Sequence, residues 1–395
     1  MPGTSAALET EWSLLLAACS AIPSQEKLDR IRLLLSEPIR WKVLFELADR
    51  HGTTPLLYQA LTGLSDQVPS DELATSKQSY QTNLHKALLL SRELIRILDH
   101  LSALGVEVLP YKGLALAELI YGDIALRQSG DIDLLIRPND LPRIREAVRA
   151  FGYTPHSPLS ADEERAYLKS GYECAFDGTA GRNLLEVQWA LQPLFYAVDL
   201  DMDGLFERAV TVSVAGREMK TPCPEDLFLV LSVHAAKHAW GRLIWLCDIA
   251  QIMRVADLDW RKIEAQSAAL GITRILQVTL LLANRLLGAA IPPSTGSSLS
   301  PDRAANVLGE EIQARIIGGA ADDTESAAYF RLMLRLRERR TDRWRFLLRL
   351  VFTPGPGEWK TMRLPPSLFP LYRLVRLSRL AVRLVRKNTA TLSLL

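Results

Sequence analysis

The sequence predicts an α+β fold, a small mixed sheet embedded in helical N- and C-terminal regions, and three observations carry that expectation. Strand-like and helix-like runs alternate between Val106 and about Leu191. The residues on either side of that window place apolar side chains at i, i+3 and i+4, the period of an amphipathic helix. At 395 residues, 48 % of them apolar, the chain can bury a core of this size. Four regions are expected: a helical cover over residues 1–104, the sheet core over 105–222, a helical domain over 223–290, and a helical, basic region over 291–395.

In the cover, Glu11 to Ala21 carries an apolar stripe and Trp41 to Asp49 has helical spacing. Ser79 to Leu104 makes a long amphipathic helix ended by Gly105. These helices are expected to pack against the sheet. The core reads as a strand over 106–110, a helix over 114–121, a strand over 131–136, a helix over 139–151, and strands over 172–177 and 183–190. Asn139 caps the second of those helices, with Pro142 tolerated in its first turn. A hairpin about Ala215-Gly216 is expected over 210–221. Pro224-Glu225-Asp226 then opens a helix carrying His234, Lys237, His238 and Trp240, and Arg242 to Val255 forms the next. Helices near 258–269 and 273–286 follow. Pro292 to Ser298 reads as a linker, with Ser300-Pro301 starting another helix by cap and first-turn chemistry. Two Arg-rich helical stretches, about 326–350 and 368–387, are divided by Thr353-Pro-Gly-Pro-Gly357. In the second, Arg373, Arg376, Arg379, Arg383 and Arg386 fall on one helical face opposite Leu and Val.

The net charge of +2 conceals an asymmetry: residues 331–395 hold 16 Lys and Arg against 3 Asp and Glu, +13, while the remaining 330 carry −11. An Arg-faced helix of this kind either docks with its arginines solvated or makes peripheral contact with an anionic membrane through residues 368–387; RNA is a further partner it could take. No apolar run is long enough to span a bilayer, since Leu14 to Ala18 is soon broken by Pro23. Glu9 and Glu11 stand where a signal peptide would be basic, so the expected location is cytoplasmic. Cys19, Cys174, Cys223 and Cys247 are widely spaced without a Cys-x-x-Cys, which argues against structural zinc or a disulfide framework and for buried free thiols.

The chemistry is expected at Asp131-Ile132-Asp133. Two carboxylates at i and i+2 of a strand share a face. They repel each other and resist burial, so a pair at the mouth of an apolar strand calls for a cation, magnesium carrying a nucleotide phosphate being the natural choice. Upstream, the strand ending at Pro110 runs through Tyr111-Lys112-Gly113 into an Ala/Leu-rich helix, which aims backbone N–H groups and a positive helix end at whatever sits above the sheet. Glu186 on the later strand supplies a third acid. Three acids and a phosphate cradle suit two-metal displacement at phosphorus. His234 and His238, four apart on a helix, could share zinc with Asp248, but Ala235 stands where a metalloprotease has Glu; the reading kept here is a polar cluster lining the pocket with Lys237 and Trp240.

The order Lys112-Gly113, helix, Tyr121-Gly122-Asp123, Arg127, Asp131-Ile132-Asp133 and later Glu186 resembles the nucleotidyltransferases of the DNA polymerase beta superfamily. Within it the chain is similar to the bacterial nucleotidyltransferase family found in exopolysaccharide and lasso-peptide gene clusters. The resemblance runs from about Leu47 to the C-terminus and takes in His234 to His238 and Trp245 to Asp248. It departs from the superfamily at Lys112-Gly113, where Gly-Gly or Gly-Ser is usual, and from the narrower family at Gln188, where His is common. The resemblance implies that residues 105–222 are a nucleotidyltransferase core. It implies transfer of a nucleoside monophosphate, AMP from ATP in the expected case, to an acceptor with release of pyrophosphate. Asp131, Asp133 and Glu186 would be the catalytic and metal-binding residues for two Mg2+ ions, with Mn2+ as a substitute. Lys112, Gly113, Arg127, Ser129, His234, Lys237 and His238 would bind the nucleotide. The acceptor would be a peptide, saccharide or small molecule, with RNA as a further possibility. Gln188 favours the alternative of a catalytically degenerate nucleotide-binding or scaffold protein of a biosynthetic cluster, and the basic tail favours a toxin-like tRNA-modifying nucleotidyltransferase.

Overall fold

The computed structural model describes residues 9–158, 160–179, 183–319, 326–353, 358, 362 and 364–379. It begins with five helices: α1 (Glu9–Cys19), α2 (Ser24–Leu35), α3 (Trp41–His51), α4 (Thr54–Thr62) and the long α5 (Ser70–Ala103). α3 stops because Gly52 takes a left-handed conformation at φ +71°, which costs a residue without Cβ little. α5 begins nine residues before the expected start, after Pro69, with Asp71 and Glu72 favourably placed at its positive end. Of these helices α5 lies on the sheet, burying Leu90, Leu94, Ile97 and Leu101 there. α1, α3 and α4 bury their apolar faces in a second cluster with the later helices, so the expected cover over the sheet is only partly one. Glu11 on α1 is buried and held by Arg40, whose Nε and guanidinium NH2 donate to its two oxygens at 3.0 and 2.8 Å.

The sheet has five strands, β1 (Val108–Pro110), β2 (Asp131–Ile136), β3 (Thr154–Pro155), β4 (Glu173–Asp177) and β5 (Leu184–Gln188), in the order β1-β2-β5-β4-β3. β2 and β5 run parallel and the other neighbours antiparallel, the mixed sheet the sequence predicts. Between the strands lie α6 (Gly113–Tyr121), α7 (Leu141–Ala150) and α8 (Ala161–Leu168). Alternation divides β2 cleanly. Ile132, Leu134 and Ile136 face α5 and α7 together with Leu185, Val187 and Phe176. Asp131, Asp133 and Leu135 face the other way, with Glu186 and Gln188 of β5 beside them in register. On that second face Leu109 and Leu135 are covered by the larger helical cluster, and the end carrying the acids is left open.

After α9 (Met202–Glu207), β6 (Val210–Val214) and β7 (Arg217–Thr221) form the expected hairpin, with Ala215 and Gly216 at φ +49° and +80° in the turn. The helices α10 (Pro224–Lys237), α11 (Leu243–Val255), α12 (Trp260–Leu270), α13 (Thr273–Leu287), α14 (Arg303–Ile317), α15 (Ala327–Arg335) and α16 (Arg340–Phe352) follow. α10 ends at Lys237, so it does not carry His238 and Trp240. Ala239 and Trp240 turn into the left-handed region, and the fully buried Trp240 is tied down by its backbone N–H to the Ala235 carbonyl at 2.7 Å and its ring N–H to Thr279 Oγ1 at 3.1 Å. α14 starts two residues later than Ser300-Pro301 implies, because Asp302 is the cap and accepts from the Ala305 N–H. The stretch 326–350 is two helices. It breaks about Arg337, which is buried against Tyr196 and donates to the Tyr196 carbonyl at 2.6 Å. Beyond α16 the chain forms a 3-10 turn, Pro366–Leu371, and a helical segment over 372–379. Residues 354–357, and 380–387 with Arg383 and Arg386, lie outside the described residues.

Candidate active site

β2 and β5 bring the three acids together. Their parallel register sets Asp133 opposite Glu186, and Asp131 lies two residues back on the same face. Lys112, the residue before α6, reaches across so that its Nζ lies 3.2 Å from Asp133 Oδ1, with its ammonium 4.7 Å from the centre of the Tyr111 ring. Gln188 completes the cluster. Its Nε2 donates to Asp133 Oδ1 at 3.2 Å and to Glu186 Oε2 at 3.0 Å, while its Oε1 accepts from the buried Tyr111 hydroxyl at 2.6 Å.

A polar cavity of about 560 Å3 opens over this cluster. On one side is the loop Arg127–Gly130. Ser129 there is buried, with no hydrogen-bond partner for its hydroxyl among the described residues. Gly113 opens α6 at φ +54°. A Cβ there would lie 3.6 Å from Ser129 Oγ and the Asp131 carbonyl, so the backbone angle and not space is what favours glycine. On the other side stand His234 and Lys237 of α10 and His238 just after it. The two imidazoles are 4.8 Å apart and pack 5.3 and 5.2 Å from Trp245 of α11, and Lys237 lies 5.0 Å from the centre of the Tyr172 ring.

Burial, then the charges of Asp133 and Glu173, pushes the Glu186 carboxyl up to about 8; burial and Asp133 also raise Asp131. Burial tends to lower Lys112, but Asp133, Tyr111 and Glu186 together outweigh it and keep the ammonium charged. Lys237 is pushed down to about 8 by burial and by Lys112. His238 falls to about 3 by burial and the charge of Lys237, and His234 well below its ordinary value by burial and Lys112, so both are neutral. The result is an acid cluster under its own repulsion, facing a wall of neutral imidazole and weakened ammonium.

A family model described as an uncharacterised nucleotidyltransferase matches residues 37–288, from just before α3 to the end of α13. The chain belongs to that nucleotidyltransferase family. No curated protein matches it. Among solved structures, the antibiotic-resistance factor ANT(2'')-Ia is 15 % identical at a TM-score of 0.29, over 58 % of this chain and 95 % of its own. An antigenic nucleotidyltransferase-like protein from Paracoccidioides brasiliensis is 16 % identical at 0.30, over 54 % of this chain and 95 % of its own.

In this nucleotidyltransferase all ten residues singled out from sequence lie at or beside the cavity, though some with unforeseen partners. Arg127 lines it, but its Nε is committed to Asp248 of α11, 3.2 and 3.0 Å from the two oxygens, and Asp248 also accepts from Tyr121. Asp248 is therefore a partner of Arg127 and forms no metal-binding group with the two histidines among the described residues. Among the described residues no three His, Cys, Asp or Glu side chains converge as a metal-binding group. Asp131, Asp133 and Glu186 nevertheless offer only oxygen donors, the kind hard divalent ions take, and burial together with the neighbouring carboxylates raises the proton affinity of Asp131 and Glu186. Glu173, Tyr172 and Tyr329 also line the cavity. Glu173 is legible in hindsight from the alternation of β4, whereas Tyr329 arrives from α15 with no local signal.

Proposed function

We propose that the chain transfers AMP from ATP to a hydroxyl or phosphate on an acceptor and releases pyrophosphate. The observation that carries this reading is the set of three carboxylates on the open face of β2 and β5, at the floor of a polar cavity beside the start of α6. In this reading Asp131 and Asp133, with Glu186, would hold two Mg2+ ions, Mn2+ substituting. The ions when bound supply Lewis acidity and neutralise the developing charge on phosphorus oxygens.

The chain's own groups do the rest. The N–H groups of the first turn of α6 and the Ser129 hydroxyl donate to the triphosphate, and Lys112 moves from Asp133 to the same phosphates. Arg127, fixed by Asp248, offers its remaining N–H groups to them. Glu186, ionised beside the bound cations, takes the proton of the acceptor hydroxyl. The acceptor oxygen bonds to the α-phosphorus, the bond from that phosphorus to the bridging oxygen breaks, and pyrophosphate leaves. His234, Lys237 and His238, with Trp245, form the wall for the base and sugar. The acceptor is a peptide, saccharide or small molecule in a biosynthetic pathway.

A second reading rests on Lys112. Its ammonium stands against Asp133 where a cation would be, as it would in a degenerate site that binds nucleotide for regulation. Pyrophosphate release with each of the four NTPs and magnesium or manganese, in wild type, Asp131→Ala and Asp133→Ala, separates the two. Release that depends on one NTP and falls by about a thousandfold or more in each variant is expected. NTP binding without release from the wild type would favour the regulatory reading, and release retained by Asp133→Ala would remove the proposed site.

A further inference from the structure

The electrostatic excess at the C-terminal end is not absorbed by the transferase site. α16 buries Asp342, Phe346 and Leu350 on its inner face. Its outer face leaves Trp344, Leu348 and Phe352 exposed at 66, 54 and 48 %. These are successive fourth residues, so they form one stripe along the helix. Val307 of α14, 43 % exposed, is a further apolar side chain of that region. Two adjoining clefts run beside the stripe, sharing Arg335 and Arg343. Arg274 and Arg303 line one, and Arg340 and Trp344 line the other. Glu311 neutralises Arg335 and Asp302 neutralises Arg274. Arg303, Arg340 and Arg343 have no carboxylate partner among the described residues. The segment that follows adds exposed Leu368, Leu371, Leu374 and Leu377 and is tied to α16 by Arg376, which donates to the Leu350 carbonyl.

We infer that the outer face of α16, with its arginine-lined clefts, is a docking surface for an anionic lipid bilayer. An apolar stripe with Trp on it and arginines around it is the arrangement of a helix lying at a lipid interface. The apolar side chains enter the acyl boundary, Trp sits at headgroup level, and arginine stems lie along the apolar surface while their heads reach phosphate. The +13 charge of residues 331–395 supplies the long-range attraction to anionic headgroups. RNA would satisfy the arginines but would gain little from exposed Leu348, Phe352 and Leu374. A second copy of the chain would bury the stripe but bring two sets of arginines face to face across a symmetric interface.

The test is sedimentation of the full chain with vesicles of phosphatidylcholine, alone or mixed with phosphatidylglycerol. Binding to the mixed vesicles is expected to be tighter by at least about tenfold and to weaken as salt is raised. The combined Trp344→Ser, Leu348→Ser and Phe352→Ser variant should lose at least about tenfold in vesicle affinity while melting with the wild type, since these side chains are already exposed. Arg340→Gln with Arg343→Gln should lose affinity together with part of its salt dependence. The inference is overturned by wild type that ignores the mixed vesicles or by a triple variant that binds them as well as wild type. It is also overturned by a dimer that the triple variant dissolves, or by single-stranded RNA bound more tightly than the vesicles.

Discussion

Gln188 touches three groups that would otherwise be in difficulty: Asp133 and Glu186, which it separates by donating to each, and the buried Tyr111 hydroxyl, which it satisfies. Gln in place of the His that the family resemblance leads one to expect at this position therefore has a physical account. A neutral imidazole has one N–H and one acceptor nitrogen, whereas the amide supplies two N–H donors and an acceptor at once. Removing it in Gln188→Ala strands the Tyr111 hydroxyl, at about 1–3 kcal/mol, and lets the two carboxylates relax apart. The expected outcome is a lower urea midpoint together with a fall in transfer of about 10–100-fold, as is usual when a group that orients metal-binding carboxylates is lost. Gln188→Glu should fall further, because it adds a carboxyl to a cluster in which burial and Asp133 already push Glu186 up to about 8. A Gln188→Ala protein with wild-type turnover and midpoint would show the bridge to be idle.

At the scale of elements, α11 fixes the approach to β2. Asp248 holds Arg127 in the loop before the strand and Tyr121 at the end of α6, and Gln251 one turn later donates to the Ile120 carbonyl at 2.7 Å. Asp248 is fully buried and Arg127 is 7 % exposed. Asp248→Ala thus leaves a buried guanidinium unpaired, at about 3–5 kcal/mol, and a urea midpoint equal to wild type would refute the clamp. This tie joins residues 121 apart in sequence and has no local signature, which is why Arg127 reads from sequence as a phosphate ligand alone. What the sequence does disclose is whatever repeats with a short period. β2, β5 and α6 are legible from alternation and helical spacing, and the i, i+2 acids share a face in any sheet. α2 carries a helical stripe in Leu28, Ile31 and Leu35, of which only Ile31 is fully buried, and is legible from that spacing, whereas β3 escapes because two residues carry no period. α8 had a legible start, the Ser160–Glu163 capping box, but its surface lacks the apolar run that would have made it a helix by spacing. The break about Arg337 follows from burying a guanidinium among aromatic rings, a tertiary choice that the Arg-rich sequence conceals.

For the whole molecule, two sets of buried groups pull stability in opposite directions as pH changes. Asp131 and Glu186 have folded values raised above their ordinary ones, so the native state holds protons there that the unfolded chain releases, and their contribution falls as pH rises from ordinary carboxyl values to about 8 for Glu186. The histidines act oppositely. His51, 2 % exposed and packed 5.0 Å from the Trp12 ring, accepts from the Leu243 N–H through Nδ1 and is pushed down to about 4 by burial and the charges of Arg50 and Arg242. It joins α3 to α11 only while neutral. Its folded value lies below its unfolded one, so its contribution is complete above about pH 6.5 and is lost as pH falls toward 4. His238 and His234 are depressed in the same sense and extend the loss. The effect can be isolated with His51→Asn, which keeps an acceptor at that place but cannot take a proton. Wild type should lose about 2 kcal/mol more than the variant between about pH 7.5 and pH 5, read from urea midpoints. Parallel pH curves for the two proteins would mean that His51 keeps its ordinary affinity for protons inside the fold, and that the join between α3 and α11 tolerates an imidazolium.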